Sequence, residues 1–321
     1  GWDIELQPDG GKATRQVRAR LIVNAGGPWV DDILRESIGQ NKAGNVRLVQ
    51  GSHIVIRRKF EHHKAYFFQN SDERIFFAIP YEQDYTLIGT TDQDFEGDPS
   101  DVNISDAEID YLCDGASQYF SEPVTRDDIV WTFSGVRPLY DDGASKAQEA
   151  TRDYVLRADG GAEAKVINVF GGKITTYRRL AESVLRKVED AIGAKGRAWT
   201  RESVLPGGEF GVEGFAPLLA EIRSRYPFLQ SGQSERLVRA YGLKCREILG
   251  SARSGEDLGE DFGHGLTEAE VRYQMKHEFA RAAEDVVWRR SKLGIRFSRE
   301  QLDRLRAFMD ENRQLQHLAA E

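Results

Sequence analysis

The chain has 321 residues, 40% hydrophobic and 30% charged, with a formal net charge of −8; this describes a globular protein long enough for two separate cores. The acidic balance leaves no basic excess to neutralise phosphates, which excludes a general nucleic-acid binder. No apolar run reaches about eighteen residues and no signal-peptide pattern is present, which speaks against a membrane-spanning helix. The only cysteines, Cys113 and Cys245, form no CxxC, so neither a disulfide framework nor a zinc site is expected and a reducing cytoplasm is the default.

At the N-terminus Trp2, Ile4 and Leu6 alternate and "PDGG" marks a turn, predicting a hairpin. Leu21-Ile22-Val23 then reads as a strand, Asn24 to Gly27 as a turn, and Pro28 occupies a first helical position. Residues 46–95 are β-branched and aromatic runs broken by polar turns, the pattern of an antiparallel meander. Residues 105–120 predict an amphipathic helix, with Ser105 and Glu108 as a capping box. "DIVWTFSGVRPLY" is a further strand entering a glycine turn. Residues 166–188, "VINVFGGKITTYRRLAESVLRKV", form a strand, a Gly-Gly turn and a helix, with no GxGxxG and no GxxxxGK[ST]. From about 212 onward the chain reads as helical, with Thr267/Glu270 and Ser298/Gln301 fitting the capping-box pattern. One domain interrupted by another follows, because the strands at 20–24 and 166–170 flank the β-rich segment.

Several side chains invite a chemical reading. "DQDFEGDPSDVN" (92–103) has acids at calcium-loop spacing, but Asn103 stands where a bidentate glutamate is needed and Pro99 interrupts it, so a solvated acidic turn is expected. His62 and His63 are adjacent and point to opposite faces of an extended chain, which rules out a shared metal. His53 begins an apolar strand and, by residue type alone, fits a core histidine as well as a functional one. Arg137 is hemmed in by Gly135, Val136, Pro138 and Leu139, so it needs an anionic partner, either a structural carboxylate or a ligand. Arg152 reads equally as a surface residue. Lys173 lies between Gly-Gly and a helix start, where its charge adds to a positive helix end; that placement makes sense if an anion binds there.

The motifs "NAGGPWVDDI", "GSHIVI", "GTTDQDFEGDP", "WTFSGVRPL", "TRDY", "VFGGKITTYRRLAE", "AWTRESVLPGG" and "DLGEDFGHGLTEAEVRY" occur in order from residue 20 to near the C-terminus. Together they resemble the flavin-dependent glycerol-3-phosphate dehydrogenases. The resemblance implies an α/β FAD-binding part of Rossmann-like, glutathione-reductase or amino-acid-oxidase type, interrupted by an antiparallel β substrate domain and followed by an all-α domain. The expected boundaries are 1–45 and 131–200 for the FAD-binding part, 46–130 for the substrate domain and 201–321 for the helical domain. Gly26, Gly27, Trp29, Ser134, Gly135, Gly171, Gly172, Ile174 and Thr175 are then expected around FAD. Arg137, Arg152 and Lys173 are expected on a substrate phosphate. His53, Arg137 and Lys173 form the expected catalytic set, with His53 as the base, and no metal is expected.

The implied reaction is oxidation of sn-glycerol 3-phosphate to dihydroxyacetone phosphate. Electrons would pass to a membrane quinone from a cytoplasmic protein attached to the inner face of the plasma membrane, and a homodimer is among the expected assemblies. The family's opening strand and GxGxxG loop are not found in this sequence. The resemblance therefore implies an N-terminally truncated member that alone holds FAD weakly or not at all and is inactive. Two rival readings stay open: an oxidase branch that passes electrons to oxygen, and a non-catalytic helical interaction module.

Overall fold

The computed structural model describes residues 1–7, 14–141, 143, 151–160 and 164–318, with side chains as far as Arg313. The "PDGG" turn lies outside the described residues. The chain divides into two compact units, Gly1–Arg201 and Glu202–Glu321.

In the first unit, β1 (Trp2–Leu6) and β2 (Arg15–Ala19) pair antiparallel, as the alternation predicts. A three-stranded sheet follows from β3 (Leu21–Asn24), β10 (Val155–Asp159) and β11 (Lys165–Phe170), in the order β10-β11-β3. Strands β3 and β11 are parallel, with Ile22 opposite Val166 and Asn24 opposite Asn168. Two segments about 140 residues apart in sequence therefore share one sheet, the arrangement that an inserted domain requires. Buried Val30, Leu34, Val166 and Phe170 form its core. Pro28 does stand at the start of a helical turn, but that turn is a 3₁₀ turn, Gly27–Trp29.

The inserted segment is a six-stranded antiparallel sheet. Its central strand is β4 (Val46–Arg57), and β5 (Tyr66–Gln69), β6 (Ile75–Tyr81), β7 (Tyr85–Gly89), β8 (Gln93–Asp94) and β9 (Ile129–Tyr140) complete it. β4 and β9 pair from Val46–Tyr140 to Ile56–Ile129, so the boundary expected at 130/131 falls inside one strand. Helix α1 (Asp106–Ser117) starts with the predicted capping box: Glu108 N donates to Ser105 Oγ at 3.3 Å and Ser105 N to Glu108 Oε2 at 2.9 Å. Its buried Leu112 and Ala116 join Ile54, Ile56, Phe76, Ala78 and Ile88 in one core. Even-numbered β4 residues thus face α1, and the odd-numbered ones face away from it. After β11 comes α2 (Tyr177–Ile192).

The second unit is mainly helical: α3 (Phe215–Arg225), α4 (Ser231–Tyr241), α5 (Cys245–Leu249), α6 (Glu268–His277) and α7 (Arg299–Leu318). A small hairpin, β12 (Asp261–Gly263) with β13 (Leu266–Thr267), precedes α6 and was not foreseen. Ser298 and Gln301 form the expected reciprocal cap of α7, with bonds of 2.9 and 3.2 Å. Thr267 and Glu270 do not cap α6. Glu270 is instead buried against Arg236 and Tyr241, a stronger partner set than a backbone N–H. The helical reading from about 212 onward also fails after His277, where α6 ends. Phe279 takes a positive φ, and the Asp285 carboxylate accepts from Arg281 N and Ala282 N at 2.8 and 3.0 Å to start the next turn.

Candidate active site

On the face of β4 away from α1, His53 lies opposite Gly89 of β7 and Phe133 of β9. Its imidazole stacks on Phe133 with centroids 4.8 Å apart and planes 7° from parallel. The other flank of the slot needs glycine, because a Cβ on Gly89 would collide with the imidazole ring. Nδ1 is buried and has no hydrogen-bond partner. Burial, and then the positive charge of Arg137, push the imidazole down from 6.5 to about 4. The result is a neutral imidazole held in one orientation between Gly89 and Phe133, with Nδ1 enclosed in the slot.

Arg137, opposite Val49 on β9, reaches along the same face over Gly51, where a Cβ would strike the guanidinium. Its Nη1 pairs with Asp92 Oδ1, and its Nη2 donates to Thr90 Oγ1 at 3.0 Å. Arg152 approaches the other oxygen of the same carboxylate, with Nη2 3.5 Å from Asp92 Oδ2. The apolar neighbourhood of Arg137 thus has the anionic partner it needed. Asp92 is the residue the sequence reading missed, since it was placed in a solvated acidic turn. The turn is more structured than that: Asp92 is only 17% exposed, Asp94 pairs with Arg47 at 2.5 Å, and Asp98 accepts from Ser100 N at 2.8 Å. Proximity of Asp92 to two arginines 45 and 60 positions later carries no local sequence signal. Among the described residues no group of three or more histidine, cysteine or acidic side chains could hold a metal. His62 instead bonds the Tyr66 hydroxyl at 2.9 Å.

Behind β4 a polar network fixes the strand. Fully buried Glu108 accepts from Thr91 Oγ1 at 2.6 Å, Gln50 Nε2 at 2.8 Å and Ser105 Oγ at 3.0 Å, in addition to the capping N–H. Thr91 Oγ1 in turn accepts from Ser52 N at 2.9 Å, and the Ser52 and Ser134 hydroxyls meet at 2.8 Å. Backbone and side chains of residues 50–52 are therefore pinned on one face while Gly51 and His53 serve the other.

The glycine turns end two strands of the three-stranded sheet, β3 and β11. β3 and β11 are parallel, so Gly26-Gly27 and Gly171-Gly172 leave the sheet from the same edge. Gly171 and Gly172 take φ of +67° and +100°, which side chains rarely adopt. A Cβ on Gly171 would sit 3.1 Å from the Asp153 carbonyl and 3.6 Å from that of Pro138, so this turn packs against the segments carrying Arg152 and Arg137. Lys173 and Thr175 are exposed at the turn that precedes α2, and Thr176 Oγ1 donates to Lys173 O at 2.9 Å. Arg137 and Arg152 are thus brought together at Asp92, with His53 on the same sheet face and Lys173 on the adjoining turn. Gly26, Gly27 and Trp29 stand at the end of β3.

These residues fit a flat cofactor. Gly27 and Gly135 face open space, with nothing within 4 Å of where a Cβ would be, and Ile174 presents an apolar side chain 85% exposed beside the Gly-Gly turn. Bare backbone with an exposed apolar residue beside it is what an aromatic ring system with polar edges would cover.

Comparison with known proteins bears on this geometry. The family model of FAD dependent oxidoreductases matches residues 2–178, and that of the C-terminal domain of alpha-glycerophosphate oxidase matches residues 198–315. The chain is 43% identical over 313 residues to the aerobic glycerol-3-phosphate dehydrogenase of Escherichia coli, covering 97% of this chain and 62% of that protein. It is 41% identical over 292 residues to the D-erythritol 1-phosphate dehydrogenase of Brucella abortus, covering 91% and 58% respectively. The chain thus spans less than two thirds of the length of these relatives. The solved structure of the glycerol-3-phosphate dehydrogenase from Bacillus halodurans, complexed with FAD, superposes with a TM-score of 0.76 over 96% of this chain and 65% of that one, at 24% identity. That likeness shows the fold: an α/β part with an inserted antiparallel sheet, and a helical C-terminal domain. The chain belongs to the FAD dependent oxidoreductase family.

Proposed function

We propose that this chain carries the substrate-oxidising site of a flavin-dependent glycerol-3-phosphate dehydrogenase, which converts sn-glycerol 3-phosphate to dihydroxyacetone phosphate. The observation that carries this reading is the convergence of Arg137 and Arg152 on Asp92, with a neutral imidazole on the sheet face that bears Arg137. Arg137, with its planar fork, and Arg152 suit the phosphate oxygens, and Lys173 adds a point charge from the adjoining turn. His53 accepts the proton of the C2 hydroxyl; a phosphate dianion beside it raises its basicity from the low value of the open site. Gly26, Gly27 and Trp29 from one turn, and Gly135, Gly171, Gly172, Ile174 and Thr175 from the others, would hold FAD; Ser134, whose hydroxyl meets Ser52 on the α1 side of the sheet, would reach it only through its backbone. When bound, FAD supplies the two-electron acceptor for the hydrogen on C2. The helix start behind Lys173 favours negative charge at that edge of the cofactor site.

In this reading the inserted sheet, which runs to Tyr140 at the end of β9, carries His53 and Arg137 for the substrate; residues 1–45 and those after β9 up to 200 serve the cofactor and add Arg152 and Lys173, and 201–321 form the helical domain. A membrane quinone is the electron acceptor we favour, because the relatives bear dehydrogenase names. The protein would then work at the inner membrane surface, and among the described residues no helix is long and apolar enough to cross a membrane.

The test is His53→Asn in the intact flavoprotein. A positioned general base contributes on the order of 10²–10⁴-fold. Flavin reduction in a single turnover is expected to slow by that factor, while binding of inorganic phosphate holds. Reduction at the unsubstituted rate would remove His53 from the chemistry.

A further inference from the structure

Asp92 has no place in the reading above, yet it occupies the point where the two arginines meet. Its two oxygens are used unequally. Oδ1 forms a short charged bond to Arg137, which is also tied to Thr90 at 3.0 Å and stays largely covered. Oδ2 stands 3.5 Å from Arg152, beyond a good charged hydrogen bond, and the Arg152 side chain is 44% exposed. One arginine is therefore anchored and the other tethered.

We propose that Asp92 is a positioning residue that acts as an internal competitor for the substrate's phosphate, holding Arg137 aimed and lending Arg152 a carboxylate that an incoming dianion displaces. The inference rests on the phosphate-site reading. Its physical basis is charge. Two guanidinium groups with no anion between them repel one another and leave Arg137 short of a partner in an apolar setting. A carboxylate between them removes that repulsion and keeps the fork oriented while no ligand is bound. The same negative charge opposes any phosphate within a few ångströms, so Asp92 lowers affinity for substrate and product alike. Weak holding of a phosphorylated product favours turnover, because affinity shared equally by ground and transition states lowers KM without raising kcat.

The experiment measures binding of inorganic phosphate by calorimetry to the intact protein and to Asp92→Asn, which keeps the shape and one acceptor oxygen but loses the charge. The Asn variant is expected to bind phosphate about tenfold more tightly. In steady state KM and kcat are expected to fall together, as product release becomes slow. Asp92→Glu, which retains the charge, is expected to bind phosphate as the unsubstituted protein does. A purely structural Asp92 predicts the reverse, with a loosened Arg137, weaker phosphate binding and a higher KM. Equal or weaker phosphate binding in Asp92→Asn would overturn the proposal. Should that variant fold poorly, Asp92→Ser is expected to bind phosphate more tightly in the same way, and equal or weaker binding there would overturn the proposal as well. Absence of phosphate binding to the unsubstituted protein would overturn the phosphate-site reading itself.

Discussion

Two glutamates, one in each unit, are buried to within 1% of complete exclusion, and they are satisfied in opposite ways. Glu270 on α6 meets a cation: Arg236 of α4 forks onto both its oxygens at 2.6 and 2.7 Å, and the Tyr241 hydroxyl adds a bond of 2.8 Å. Glu108 on α1 meets neutral donors instead, from Gln50, Thr91 and the Ser105 cap. The difference follows what each region does. In the helical unit the ion pair ties α4 to α6, and Arg236 also donates to the Gly265 carbonyl at 2.9 Å, so the pair locks tertiary structure. In the sheet the guanidinium groups stay on the far face of β4, beside His53, where a ligand can reach them. A cation recruited to Glu108 would be lost to that face. The comparison separates charge spent on the fold from charge kept for a ligand.

The largest expected effect comes from breaking the ion pair. Glu270→Gln places an amide N–H₂ against one arm of the Arg236 fork and removes the carboxylate charge from a buried ion pair. Removing one partner of a buried pair costs about 3–5 kcal/mol. Calorimetry should show a large drop in the unfolding temperature of this variant. Glu270→Leu with Arg236→Met, which removes both charges, should recover most of it. Equal unfolding temperatures for Glu270→Gln and the unsubstituted chain would mean that the pair is not a lock.

The second effect sharpens the contrast through pH. His53 titrates near 6.5 when unfolded and at about 4 when folded, chiefly because of burial. The unfolded chain therefore takes up the proton first. The stability this group contributes is complete above pH 6.5 and is lost as pH falls from there to about 4. The difference corresponds to an upper bound of about 3 kcal/mol, reduced by the ring's partial exposure. Urea unfolding at pH 7.5 and pH 5 should show the chain losing more stability on acidification than His53→Asn does. Parallel losses in the two proteins would show that the imidazole is not held neutral by its slot.

How much of this was legible in the sequence depended on how local the cause was. The Ser105/Glu108 cap, the Gly171-Gly172 turn and the parallel pairing of residues 20–24 with 166–170 follow from residues within a few positions or from a repeated strand–glycine–helix pattern. His53 and Arg137 were visible as polar residues in apolar runs, although their neighbours were not. Two of the failures are long-range. Thr267 and Glu270 fit a cap by spacing, but Arg236, thirty-four positions earlier, claims the carboxylate. Asp92 sits in a run of acids typical of a solvated turn, and only the pairing of β4 with β9 carries Arg137 across to it. Periodicity also extended α6 too far, because a positive φ at Phe279 leaves no mark on the pattern of apolar residues.

The smallest expected effect tests whether neutral donors really suffice for Glu108. In Glu108→Gln the amide can keep its oxygen toward Ser105 N and Gln50 Nε2, where three donors converge. Its N–H₂ then replaces the oxygen that accepted from Thr91. Thr91 can turn its hydroxyl and accept that N–H, since it already accepts from Ser52 N and retains a second lone pair. The Thr91 hydroxyl loses the acceptor it had in Glu108 Oε1, so the cost is one buried donor left unpaired together with the charge-assisted part of the bonds, about 1–3 kcal/mol. Glu270→Gln has no such escape, because a guanidinium cannot accept a hydrogen bond. Glu270→Gln should therefore cost more unfolding free energy than Glu108→Gln, by about 2 kcal/mol between the middles of the two ranges. Phosphate binding should change little in Glu108→Gln, because Arg137 and Arg152 lie across β4 from the substitution. A loss as large as that in Glu270→Gln would mean that the Glu108 charge itself, and not the geometry of its donors, holds the strand beneath His53.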